Sequence, residues 1–286
     1  EEVRREAERG LHTLAGTDLL PQLVESLRKD PNAGDLSEML VAIGGAALER
    51  LVTELKESPD ILLQNVLIDV ISRICIHEAE LEGSTKPFHP LMRQLREKNL
   101  PLPFICNLLK IFGRIGHRYF EASIIEFAHH RHPLIEGEAI RALSALRSPK
   151  ALQVLREKVL GGRIRERSDL SRAINRLAEA AMPDFPEVVE KLLSGNPGLD
   201  IQMTAIQGLG RLPEEMALPL LERIATKKKV LSRKPVYPLP MRLAAVRALG
   251  ELGGGRARDL LTHLWDIESD PKMLDAIDLA LSRKHS

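Results

Sequence analysis

The chain has 286 residues, 44% hydrophobic and 28% charged, with a formal net charge of +1. This balance excludes a disordered polar segment and a globally polybasic nucleic-acid binder, and leaves a folded chain whose charges cover its surface. Aromatic residues make up only 3%, so the core has to be built from Leu, Ile, Val and Ala, which suits helices packed on helices better than sheets. Cys75 and Cys106 both fall inside apolar helical patterns and read as buried free thiols of a reducing compartment, which points to the cytoplasm. The most apolar stretch, Ile61 to Ile76, contains Asn65, Asp69 and Arg73, so no membrane span is expected, and no signal peptide is found.

In chain order, Glu1–Arg9 is a charged helical opening without a methionine. It reads as the cap of a first helix pair and as the start of a piece cut from a longer protein. A signature of small and aliphatic residues then recurs, with a large aliphatic or aromatic anchor at Leu14, Ile43, Ile71, Phe112, Leu143, Leu177, Leu209 and Leu249, and with Ala280 closing the series. Successive anchors are 29, 28, 41, 31, 34, 32, 40 and 31 residues apart. The two long intervals hold insertions rich in Pro, Gly or Lys, at Glu82–Pro90 and Lys227–Pro240, both expected to be loops rather than extra helices.

The clearest unit begins with a helix over Pro240–Leu252, is broken at Gly253-Gly254-Gly255, and continues with a helix over Arg256–Ile267 before Asp270-Pro271. Leu199–Leu212 and Pro213–Thr226 repeat the cycle. Ala and Gly at Ala139/Ala142, Ala205/Gly208 and Ala245/Ala248 would let neighbouring helices approach closely. Such a pair cannot bury its apolar face alone, so neighbours must stack on it. Leu274, Ile277 and Ala280 form the last apolar stripe, and Ser282–Ser286 is left polar as a natural C-terminus.

The segment Arg242-Leu243-Ala244-Ala245-Val246-Arg247-Ala248-Leu249-Gly250-Glu251-Leu252-Gly253 resembles the bacterial HEAT repeat, in the short variety named after phycobilisome lyases. The resemblance implies a single all-α domain over residues 1–286, a right-handed α-solenoid of stacked antiparallel helix pairs in about eight or nine HEAT-like units. It also implies an interaction scaffold or regulatory module rather than an enzyme.

Two histidine clusters raise the question of metal. His129, His130 and His132 lie near Glu126, and on a continuing helix His129 and His132 would share a face. His77, Glu78 and Glu80 lie beside Cys75, with His89 as a more distant ligand. No second ligand pair stands at a recognised spacing, so both read as polar helix ends and no metal or other cofactor is expected. No nucleophile elbow is present, and Gly208-Leu209-Gly210 and Gly253–Gly255 do not follow strands, which argues against a phosphate loop. A lone Trp265-Asp266 pairing cannot build a base-binding pocket.

The remaining signal is in the surfaces. Second helices of such arrays line the concave side, and their off-stripe residues include Arg50, Glu54, Gln153, Arg156, Glu190, Lys191, Glu222, Arg223, His263 and Asp266. A face of mixed sign suits a protein or peptide partner, with Arg50, Gln153, Arg156, Lys191, Arg223 and His263 as the expected contacts. The alternative is anion or nucleic-acid binding through Lys227, Lys228, Lys229, Arg233, Lys234 and Arg242, with Tyr237 for stacking and a second basic turn at Arg163, Arg165, Arg167 and Arg172.

Overall fold

The computed structural model describes residues 19–97, 99–226, 228 and 234–282. They fold as helices, and among them the only β feature is an isolated antiparallel bridge between Lys228 and Pro235. The anchor Leu14, the charged opening Glu1–Arg9 and the C-terminal tail from Arg283 lie outside the described residues. The chain divides into two compact units, Glu1–Ala151 and Leu152–Ser286.

In the first unit the helices are α1 (Leu19–Lys29), α2 (Gly34–Ile43), α3 (Leu48–Glu57), α4 (Ile61–Glu82), α5 (His89–Gln94), α6 (Leu102–Ile115), α7 (Glu121–Ala128) and α8 (Pro133–Ala145). The division falls inside α9 (Pro149–Leu160). The second unit holds α10 (Arg167–Glu179), α11 (Phe185–Gly195), α12 (Leu199–Gly208), α13 (Glu214–Thr226), α14 (Leu239–Leu252), α15 (Gly255–Ile267) and α16 (Pro271–Ser282).

Alternate helices pack on one another. In the first unit α2 packs on α4, α4 on α6 and α6 on α8; in the second, α10 packs on α12, α12 on α14 and α14 on α16. Several of the intervening helices pack on the helix that follows them, as α7 does on α8 and α13 on α14. This is the all-α, solenoid-type arrangement expected of a helix-pair repeat. The anchors account for it: Ile43, Ile71, Phe112, Leu143, Leu177, Leu209 and Leu249 are all fully buried, and Ala280 nearly so. Burying a side chain of that size contributes about 1.5–3 kcal/mol, so the periodic anchors are the main stabilising element of each layer.

The small residues do what their spacing suggests. A methyl group on Gly250 would lie 2.8 Å from Cβ of Ala280, and one on Gly208 would lie 2.9 Å from Cβ of Ala178. In the first unit a methyl group on Gly113 would meet Cα of Ala142 at 3.1 Å. Helix ends are satisfied locally. The Asp60 carboxylate accepts from the Leu62 N–H at 2.8 Å to open α4, and Asp270 accepts from the Lys272 N–H at 2.9 Å to open α16.

The first insertion is not simply a loop. Residues Lys86–Phe88 form a 3-10 turn and α5 starts at His89, so the segment supplies the second helix of its own pair. The prolines initiate rather than break: Pro87 is buried with Phe88, and Pro90 stands in the first turn of α5, where its missing N–H is not needed.

Candidate interaction surface

In the second unit, consecutive second helices are tied by ion pairs. Arg156 of α9 pairs with Asp184, which precedes α11, and Arg223 of α13 pairs with Glu190 of α11. Both arginines were expected as partner contacts, and each already has a carboxylate within the unit. Lys191 and His263 remain exposed, as do Glu222 and Asp266. Gln153 is exposed and donates its side-chain amide to Glu157 at 3.1 Å. Trp265, 43% exposed, lies on α15 next to Asp266.

In the first unit Arg50 is exposed on α3, but Glu54 is not the surface residue its position suggested. It is 1% exposed and takes both Nε and Nη2 of Arg28 at 3.1 and 2.7 Å. A lone buried carboxylate would be costly, and the bidentate arginine from α1 removes that cost.

The basic insertion looks different once its neighbours are placed. Lys227, Lys229 and Arg233 lie outside the described residues. Lys228 is exposed and bridges Pro235 through the backbone, while Lys234 is engaged by another group of the protein. Arg242 is buried: its Nε donates to the Ala225 carbonyl at 3.1 Å and its Nη2 pairs with Glu268. It is therefore a structural residue, held inside by partners from α13 and from the end of α15. Tyr237 sits in the turn before α14, and Arg167 of the second basic turn pairs with Asp200 at 3.2 Å.

The histidine clusters do not converge on a common point. Helix α7 ends at Ala128, so His129–His132 form a turn rather than a helical face, and His130 Nδ1 accepts from the His132 N–H at 3.0 Å. Glu78 Oε1 accepts from the Gly45 N–H at 2.8 Å, and the His89 ring lies against Tyr119. Among the described residues no three His, Cys, Asp or Glu side chains come together to hold a metal. Burial pushes the Cys75 thiol up to about 12, with Glu78 adding to it, and burial likewise raises Cys106. Thiols so disfavoured as thiolates are poor nucleophiles. The Gly253–Gly255 run leads into α15, whose first turn already holds a carboxylate: Glu214 accepts from the Ala257 N–H.

Sequence reasoning missed one constellation, in the first unit. Phe88 packs against His117 and Phe120 with ring centroids 5.2 and 5.0 Å apart, Phe112 stacks on Phe120 at 4.2 Å, and Tyr119 leans on Phe88, His89 and Phe120. Phe88, Phe112 and Phe120 are buried, and Tyr119, His117 and His89 are exposed. The available signal was the crowding of aromatic residues between Phe88 and Phe127 in a chain otherwise poor in them. Among the described residues no helix is long and apolar enough to cross a membrane.

The family described as PBS lyase HEAT-like repeat matches residues 241–264, which span most of α14, its glycine break and most of α15. No curated protein matches the chain. Among solved structures, an engineered protein is similar at 17% identity over 98% of this chain and 84% of its own, with a TM-score of 0.47. Human deoxyhypusine hydroxylase in complex with glycerol is similar at 17% identity over 93% and 97%, with a TM-score of 0.34. A designed armadillo repeat protein reaches 15% identity over 82% and 98%, also with a TM-score of 0.34. Residues 241–264 thus match a HEAT-like repeat, and they lie among helix pairs that stack through buried anchors recurring every 28 to 41 residues.

Proposed function

We propose that the chain is a non-catalytic interaction scaffold whose second helices present a surface to a protein or peptide partner. The setting is a cytoplasmic, bacterial regulatory or assembly system. The observation that carries this reading is the ion-pair bracing of consecutive second helices, Arg156 to Asp184 and Arg223 to Glu190. The pairs hold the spacing of α9, α11 and α13, while Lys191 on α11, Glu222 on α13 and His263 on α15 stay exposed. A surface ordered before the partner arrives lowers the entropy cost of binding. Burial of both thiols supports a role without nucleophilic chemistry.

The contacts within this reading are Lys191, His263 and Gln153 in the second unit and Arg50 in the first. Arg156 and Arg223 act as braces. The experiment is affinity capture from source lysate with the full chain as bait, comparing wild type with Lys191→Glu and His263→Glu. A partner retained stoichiometrically after nuclease treatment, and lost with these variants at unchanged helical circular dichroism, is the expected result. Capture that vanishes with nuclease, or that ignores both variants, overturns it.

A further inference from the structure

We infer that the surface around Tyr119 in the first unit is a docking site for an acidic segment of a partner protein. The inference rests on the scaffold reading and adds a second, chemically defined contact to it.

The residues come from two successive turns. Lys86 lies in the turn between α4 and α5 and His89 opens α5, while His117, Arg118 and Tyr119 belong to the segment between α6 and α7. Phe88, fully buried between them, joins the two turns through its ring contacts with His117 and Tyr119. Tyr119 is 37% exposed yet leans on three rings, so its position is set before any partner arrives. An exposed aromatic side chain with little rotameric freedom, flanked by arginine, is the usual composition of an interface hot spot.

The polar groups fix the partner's charge. His117 Nδ1 accepts from the Tyr119 N–H at 3.1 Å, so the other ring nitrogen carries the proton and is a donor. Arg118 and Lys86 are exposed donors without acceptor capacity. No Asp or Glu occurs from Gly83 to Arg96 or from Asn99 to Phe120. The nearest acids in sequence are engaged: Glu82 accepts from the Ser84 hydroxyl, and Glu121 from the Ser148 hydroxyl. Arg93, the other cation of α5, is held by Glu49 at 3.2 Å. Glu82 and Glu121 thus turn to serine hydroxyls, and among the described residues no ion pair joins Lys86, His117 or Arg118 to a carboxylate. The surface therefore offers one aromatic anchor and a set of donors that a carboxylate-bearing peptide completes. A single-stranded nucleic acid fits less well, because it needs successive stacking platforms and this surface exposes one tyrosine.

The test is fluorescence anisotropy with the full chain and three fluorescein-labelled probes: a twelve-residue peptide repeating Glu-Glu-Tyr, its counterpart repeating Lys-Lys-Tyr, and a twelve-nucleotide oligothymidylate. The acidic peptide is expected to bind saturably. Its affinity should fall at least tenfold in Arg118→Glu and in Tyr119→Ala, and be retained in Tyr119→Phe, which keeps the ring. Arg118 is exposed, so its reversal reports on binding even if removal of the Tyr119 ring loosens the aromatic cluster, which circular dichroism would reveal. The proposal is overturned if the acidic peptide binds no better than the lysine peptide, if its binding ignores both variants, or if the oligonucleotide binds more tightly through the same residues. Partner capture that is lost with Lys191→Glu yet unaffected by Arg118→Glu would leave the scaffold standing and remove this site from it.

Discussion

Arg242 and Glu268 form an ion pair inside the second unit, with side chains only 8% and 12% exposed. The same guanidinium donates to the Ala225 carbonyl at 3.1 Å, so one residue at the start of α14 ties the end of α13 to the end of α15. The ends of α13 and α15 converge on one positive charge. Its place in a basic stretch suggested a surface role, and its neighbours give it an interior one.

Replacing Arg242 by Met should therefore destabilise the second unit, by about 3 kcal/mol, because it leaves Glu268 partly buried without its cation and the Ala225 carbonyl without its donor. Arg242→Lys keeps the charge but lacks the fork that reaches both partners, and should fall between the two. Urea denaturation followed by circular dichroism would show this as a lower midpoint. An unchanged midpoint in Arg242→Met would mean that the pair is not formed in solution.

Glu268 also predicts a pH dependence. Burial pushes its carboxyl up, but the backbone N–H groups of Ser269 and Asp270 and the Arg242 guanidinium outweigh that and hold it below the usual 4.5. A carboxylate whose folded value is lowered contributes stability above its unfolded value and loses it as pH falls through the folded one. Wild-type stability should thus decline more steeply below pH 4.5 than that of Glu268→Gln, with parallel behaviour between pH 5 and 7. Parallel curves down to the acid transition would remove Glu268 as a contributor.

The close helix crossings predict which glycines are replaceable. Gly250→Ala places a methyl group against Ala280, and Gly208→Ala places one against Ala178 and Phe185, so each should cost about 1–3 kcal/mol from overpacking. Gly255, at the start of α15, has open space where its methyl group would go, and Gly255→Ala should stay within about 0.5 kcal/mol of wild type. Thermal melts of the three variants would decide the matter. Equal effects at all three sites would mean that helix propensity, not packing, sets the outcome.

Periodicity made the fold legible. An anchor every 28 to 41 residues, followed in several units by glycine, specifies a helix whose one face is buried and whose neighbour comes close, and those anchors are the buried ones. The surface was less legible, because side-chain pairing across repeats involves residues some 30 positions apart with no fixed pattern. Glu54 looked exposed by its place on α3 and is buried because Arg28 reaches it from α1. Arg156 and Arg223 looked available and are paired with Asp184 and Glu190. The cluster around Tyr119 was hidden for the same reason, since its rings come from two turns about 30 residues apart.

The buried thiols give a direct chemical readout. With Cys75 pushed up to about 12 and fully buried, its thiolate is scarce at pH 8 and out of reach of reagents. Ellman's reagent should leave Cys75 unmodified in the native chain and titrate both cysteines in guanidinium chloride. Rapid native labelling at Cys75, located by peptide mapping, would mean that the packing of α4 against the Pro87–Phe88 turn opens readily.

The pairing of Arg223 with Glu190 separates bracing from recognition. Both side chains are largely exposed, so the pair should contribute no more than about 1 kcal/mol to stability. Arg223→Glu places two carboxylates together and should lower the denaturation midpoint slightly, and the exchange Arg223→Glu with Glu190→Arg should restore it. If the pair is a brace, the exchange also restores partner capture, because the spacing of α11 and α13 returns. If Arg223 itself contacts the partner, the exchange recovers stability while capture stays lost, and the residue moves from the frame to the binding surface.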